Sequence, residues 1–354
     1  MRPVLKTIIM ICAALVALAP GLAVGQTAPA PACAKPEQRI DEKGFVRIGG
    51  AEQWITITGD RCDNPVILFL HGGPGNPLSP FAESIYGGWS KDFTLVQWDQ
   101  PGAGMTFGRQ SPPPTEALSV AAMSADGVAV ARYLLDHLHV RKVILMGSSW
   151  GSILGVNMAL AQPDLFHAYV GTSQVVSYRA NQAATYPRVL ALARAAGDQD
   201  TVSRLEALGP PPWVNPRAFG TLRRAIRKYE GLATDPTPEA WWSPAAAYAT
   251  PQALADYEAG EDYSFLQFVG LKGDGMFSGV DLEALGSRFE TPVFLLQGSE
   301  DLLTTADVTQ RYFDGLTAPR KALIMVPRAG HDPNPTMVDA QYRLLMQQVR
   351  PLVQ

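Results

Sequence analysis

Cysteine and charge are both scarce in this chain. Its 354 residues include three cysteines, and 18% of positions are Asp, Glu, Lys or Arg, against about 25% in an ordinary soluble domain. No run of Lys and Arg makes a basic patch and the formal net charge is −4, so nothing draws the molecule towards nucleic acid. A dinucleotide fingerprint is missing, as is any cluster with zinc-ligand spacing, so no cofactor or metal is expected. Apolar residues, by contrast, make up 47% of the chain. A disordered protein is thereby excluded, and the length suffices to bury a sizeable core. One large α/β domain with an insertion fits that length as well as two domains do.

Arg2 and Lys6 precede an apolar stretch from Ile8 to Ala19, which Pro20 and Gly21 break. Ala23-Val24-Gly25 supplies small residues for cleavage, so residues 1–25 read as a secretory signal peptide. The apolar run falls short of the ~20 residues needed to span a bilayer, so no membrane association is expected once the signal is removed. A periplasmic or secreted location follows. Residues 26–43, rich in Ala and Pro at their start, read as a tether. Cys12 would leave with the signal, and the remaining Cys33 and Cys62 would pair in an oxidising compartment.

Beyond the tether, strands and helices alternate. Phe45–Ile48 and Trp54–Ile57 have the alternation of exposed hairpin strands. Val66–Leu70, Thr94–Trp98, Val143–Met146 and Ala168–Gly171 read as further strands, the first a continuous apolar run of the kind a parallel sheet buries. Helices are expected over Val120–Leu138 and from Trp150 to about Gln162. The rhythm lapses over residues 174–289 and resumes with strands at Val293–Leu296 and Ala322–Val326 and a helix over Thr336–Val349. The expectation is a mostly parallel, eight-stranded, doubly wound sheet formed by residues 44–173 and 290–354, with a helical lid inserted after the sixth strand.

Chemistry concentrates at the ends of those strands. Gly147-Ser148-Ser149-Trp150-Gly151 turns a strand directly into a helix, and the Gly-x-Ser-x-Gly spacing fits Ser149 alone. Such a turn lifts a serine hydroxyl above the sheet as a nucleophile. Of the five histidines, His331 follows the final strand, where ligands bind in such sheets, and is the candidate base. Asp301 follows the preceding strand and would fix the imidazole, with Glu300 as its rival. His71-Gly72-Gly73-Pro74-Gly75 follows the third strand, so the backbone N–H groups of Gly73 and Trp150 are candidate oxyanion donors. The chain order Ser149, Asp301, His331 is that of α/β-hydrolases.

At His71–Gly75, at Asp99-Gln100-Pro101-Gly102-Ala103-Gly104 and at Gly147–Ser152 the chain resembles the proline iminopeptidase branch of the α/β-hydrolases. The resemblance implies a cofactor-free serine peptidase that removes an N-terminal residue through an acyl-enzyme, with the triad and oxyanion donors named above. Its substrate would be a small peptide. Pro101 departs from the Arg usual in that family, which puts the support of the oxyanion loop in question. A clear copy of the family's Trp-Glu lid signature is also missing. The family's lid carboxylates hold the substrate's α-amino group, and Tyr257–Asp262, with Glu258 and Glu261, is the nearest equivalent here. The same run also reads as a solvated acidic turn.

Two further readings stand beside the aminopeptidase. An esterase or amidase taking small uncharged acyl substrates would use the same core, because specificity resides in the lid. A catalytically silent hydrolase fold used for binding would fail to react with a fluorophosphonate. Trp213, Trp241, Trp242 and Phe265 could line an acyl pocket or pack the lid itself. Oligomeric state is not legible.

Overall fold

The computed structural model describes residues 33, 35–109 and 117–353. The signal peptide expected over 1–25 and residues 26–32 and 34 of the tether lie outside the described residues. One eight-stranded sheet runs in the order β1-β2-β4-β3-β5-β6-β7-β8. Its strands are β1 Ile40–Ile48, β2 Ala51–Gly59, β3 Val66–Leu70 and β4 Thr94–Trp98, followed by β5 Val143–Ser148, β6 Phe166–Thr172, β7 Val293–Gly298 and β8 Lys321–Val326. β1 and β2 form an antiparallel hairpin, and β2 joins β4 antiparallel. Every later pairing is parallel.

The hairpin starts earlier than the sequence suggests. Residues 40–43, assigned to the tether, are already strand, with Ile40 paired to Gly59 and Lys43 to Thr56. Ile40 is buried, but the charged Asp41, Glu42 and Lys43 after it hide the apolar alternation. A disulfide joins Cys33, ahead of β1, to Cys62, after β2, with Cα atoms 5.6 Å apart. It closes the hairpin at its open end.

All five residues of β3 are buried because both faces of the sheet are covered. Leu68 and Leu70 pack with Leu134 of the helix Val120–Leu138 and Leu154 of the helix Trp150–Ala161. Ile67 and Phe69 point the other way, towards Trp89, Met337 and Leu344. The helix expected over Thr336–Val349 starts at Pro335, runs regularly to Leu344 and widens into a π turn over Leu345–Val349.

Four long helices lie between β6 and β7, in the segment expected as a lid. Tyr178–Ala195, Gln199–Leu208 and Pro216–Ala233 enclose a core of their own around Val189, Leu205, Trp213 and Ile226. Pro251–Val269 instead packs on the sheet's loops. Ser264 Oγ donates to the Gly102 carbonyl at 2.7 Å, and a Cβ on Gly75 would lie 2.8 Å from Ser264 Cβ. None of the described helices is long and apolar enough to cross a membrane.

Candidate active site

Ser149 sits between β5 and the helix Trp150–Ala161 with φ 51° and ψ −120°, a conformation L-residues rarely adopt. Its flanking glycines are required by close approach. A Cβ on Gly147 would lie 2.5 Å from the Gly151 carbonyl oxygen, and one on Gly151 2.0 Å from that of Leu70. Ser152 ties the turn further, its Oγ donating to the Ser149 carbonyl at 2.6 Å and accepting from Val175 N–H at 3.0 Å.

His331 Nε2 lies 2.9 Å from Ser149 Oγ, and His331 Nδ1 lies 3.1 Å from Asp301 Oδ2. Asp301 is 1% exposed, yet its carboxylate is fully satisfied. Oδ1 accepts from Leu303 and Thr304 N–H at 2.8 and 2.7 Å, and Oδ2 accepts from Thr304 Oγ1 and Gln297 Nε2 at 2.6 and 3.1 Å. Burial alone would raise its pKa, but His331 and these donors overcome that and hold it below the usual carboxylate range. Burial likewise presses on the His331 imidazolium, and the Asp301 charge and hydrogen bond more than offset it, so the His331 pKa is raised. Glu300 accepts instead from Ser299 Oγ at 3.0 Å and makes no bond to His331. A hydroxyl held by an imidazole that is itself held by an ionised carboxylate can surrender its proton as it attacks.

The loop after β3 completes the chemistry. Gly73 has φ 112°, and a Cβ on Gly72 would touch Ser149 Cβ at 3.4 Å. Trp150 is the first residue of its helix, so its N–H has no intrahelical partner. Gly73 and Trp150 therefore border the same space as Ser149. With Pro101 in the usual Arg position, Gln100 braces this loop. Its Nε2 donates to the His71 carbonyl at 3.2 Å, its backbone N–H donates to His71 Nε2 at 3.2 Å, and its Oε1 accepts from Trp150 Nε1 at 2.9 Å. Burial lowers the His71 pKa to about 4, so this ring stays neutral and structural.

Ser149 and His331 open onto a cavity of about 770 Å³ beneath the lid. Glu261 and Asp262 line it, as do Trp242 and Phe265. Glu258, one turn before Asp262, is not on the cavity wall. Trp213 is buried in the lid's own core, and Trp241 packs against the sheet-side cluster containing Trp89.

Glu230, in the lid helix Pro216–Ala233, went unnoticed in the sequence. Its Oε1 accepts from Leu302 N–H at 2.7 Å and its Oε2 from His331 N–H at 3.3 Å, so one lid carboxylate spans the loops that carry Asp301 and His331. Burial and the nearby Asp301 charge push its pKa up to about 7. The aromatic–acid pair Tyr229-Glu230 was the available signal, obscured by the many basic residues of its helix.

An eight-stranded sheet of this order, with serine, acid and histidine after β5, β7 and β8 and helices inserted after β6, is the architecture of an α/β-hydrolase. The family model for that fold matches residues 65–336, and the chain belongs to this family. Within it, the chain is 28% identical over 299 residues to the probable aminopeptidase YbaC of Bacillus subtilis (strain 168), covering 81% of this chain and 89% of that protein. It is 26% identical over 316 residues to the probable proline iminopeptidase of Streptomyces coelicolor, covering 85% of this chain and 93% of the relative. The proline iminopeptidase of Mycobacterium smegmatis superposes with a TM-score of 0.65 at 18% identity, over 88% of this chain and 99% of that one. That last likeness, at 18% identity, is one of fold.

Proposed function

We propose that this chain is an exported serine aminopeptidase of proline iminopeptidase type. The observation that carries the reading is the line from Ser149 through His331 to Asp301, at 2.9 and 3.1 Å, opening into a cavity with a lid carboxylate on its wall. Ser149 Oγ attacks the carbonyl of the substrate's first residue while His331 Nε2 takes its proton, and Asp301 stabilises the imidazolium. The N–H groups of Gly73 and Trp150 receive the developing oxyanion. His331 then protonates the departing amine, leaving an acyl-enzyme on Ser149. Water, deprotonated by His331, releases the free N-terminal residue and restores the serine.

Glu261 meets the substrate's ammonium, since a cation entering a partly dry cavity needs a paired carboxylate. Export is supported by the basic start and apolar run at the N-terminus and by the Cys33–Cys62 disulfide.

The test compares turnover of a prolyl arylamide, the same compound acetylated on nitrogen, and a p-nitrophenyl acyl ester, with Ser149→Ala as blank. Cleavage of the free-amine arylamide alone is expected, and Glu261→Gln should raise its KM by about tenfold. Should Glu261→Gln leave KM unchanged, Glu261 is not the ammonium partner. Ester cleavage with both arylamides untouched would make the protein an esterase.

A further inference from the structure

The lid helix Pro216–Ala233 turns a basic face to the cavity. Arg223, Arg224 and Arg227 line the space that also contains Ser149 and His331. Spacings of three and four residues place all three on one side of the helix. Arg224 donates to Thr221 Oγ1 at 3.2 Å. Among the described residues, Arg223 and Arg227 make neither a hydrogen bond nor an ion pair. Elsewhere on the lid, Arg188, Arg194 and Arg204 each pair with an acid. The acids on the cavity wall, Glu261, Asp262 and Asp332, lie on other elements, and no ion pair joins them to these arginines.

Two of the wall's acids thus lie on the helix Pro251–Val269 and the third, Asp332, beside His331, while the bases lie on the helix Pro216–Ala233. In acyl transfer the leaving amine lies on the histidine's side, because histidine must protonate it. Arg223 is close enough to His331 to oppose its protonation electrostatically. Arg223 and His331 line the same cavity, so a positive charge lies within reach of the group that protonates the leaving amine. An anion seated there would also relieve Arg223's opposition to the imidazolium that forms as Ser149 attacks.

We propose that Arg223 and Arg227 receive the C-terminal carboxylate of a short peptide whose first residue is acylated onto Ser149. The enzyme is then a peptidase of free dipeptides and tripeptides, recognised by both of their charged ends. A cavity of about 770 Å³ has room for about two or three residues. Guanidinium is suited to the role, since its planar fork matches a carboxylate. This inference rests on the aminopeptidase reading and adds the carboxylate end to it.

The experiment measures kcat/KM for a prolyl dipeptide with a free C-terminus and for its C-terminal amide, and takes the ratio within each protein. In the wild type the free acid should be preferred by about tenfold or more, the scale of a charge-assisted contact. The ratio should fall towards one in a variant carrying Arg223→Gln and Arg227→Gln. It should drop below one in Arg227→Glu, an exposed substitution that folding tolerates. Because each ratio is internal, differences in the amount of folded enzyme cancel. A wild-type ratio of one or less, or an undiminished ratio in both variants, overturns the proposal while cleavage of the amide leaves the aminopeptidase standing. If neither dipeptide nor amide is cleaved while an ester is, the peptidase reading itself falls and the carboxylate site falls with it.

Discussion

The Glu230 carboxylate, carried by a lid helix, accepts a hydrogen bond from the backbone N–H of His331 at 3.3 Å. With its other oxygen on Leu302 N–H, the lid holds both loops that position the Ser149 partner. Lid and site are therefore one mechanical unit at this point, even though the first three lid helices have a hydrophobic core of their own.

Burial of the Glu230 carboxylate, beside the Asp301 charge, makes stability depend on pH. The Glu230 pKa is raised from 4.5 to about 7 in the folded protein, so the folded state holds the proton more tightly than the unfolded chain. Its stabilising contribution is complete below about pH 4.5 and is lost as pH rises through about 7. His331, also raised, acts in the same direction. Thermal unfolding midpoints should decline between pH 5 and about 7.5, and Glu230→Gln should flatten that decline. An equal slope in the variant would remove Glu230 as its source. Activity should run the opposite way, rising with pH as His331 becomes the neutral base.

Ser149 carries both chemistry and strain, and two substitutions separate them. Ser149→Ala keeps the Cβ and removes the hydroxyl, so turnover should fall by about 10³-fold or more with little change in stability. Fluorophosphonate labelling should vanish as well. Ser149→Gly additionally relieves a side chain from φ 51°, and should raise stability by about 1 kcal/mol. Full labelling of the alanine variant would reassign the nucleophile.

Legibility in the sequence followed the range of each interaction. Ser149 could be read because its glycines stand two residues to either side of it in the chain, although Gly151 is demanded by the distant Leu70 carbonyl. β3 could be read because a strand covered on both faces must be apolar throughout. His331 and Asp301 could be named as candidates because each follows one of the last two strands, where such sheets carry their ligands. Glu230 escaped because its partners, Leu302 and His331, are 72 and 101 residues away and use backbone N–H groups that any residue would supply. Gln100 lay within a noticed motif, but its bridge to Trp150 and His71 emerges only once three loops converge. The tether boundary was misplaced for a simpler reason, since an edge strand beside solvent can be charged at most positions.

The disulfide ties the chain's entry to the hairpin, and it should matter for stability more than for catalysis. Cys33 and Cys62 are 29 residues apart, and closing a loop of that size is worth roughly 3–4 kcal/mol in the chain-entropy model. Cys33→Ser should lower the unfolding midpoint by several degrees and leave kcat within about twofold. Peptide maps with and without reductant should differ by one linked pair. Identical maps would dispose of the bridge, and with it one support for export.

The acid is the last part to assign by experiment, because two carboxylates are adjacent in the chain. Asp301 receives Leu303 N–H, Thr304 N–H, Thr304 Oγ1 and Gln297 Nε2. An asparagine there would turn its own N–H₂ towards groups that are already donors, losing the charge that stabilises imidazolium and the geometry that orients the ring. Asp301→Asn should therefore lower kcat by about 10³-fold or more while changing KM little. Glu300→Gln keeps an oxygen to accept from Ser299 and removes only a charge that makes no bond to His331, and should leave kcat within about twofold. Single-turnover acylation rates on a prolyl arylamide measure both. The reverse ranking would require the His331 ring to leave Asp301 for Glu300, which the four donors holding the Asp301 carboxylate oppose.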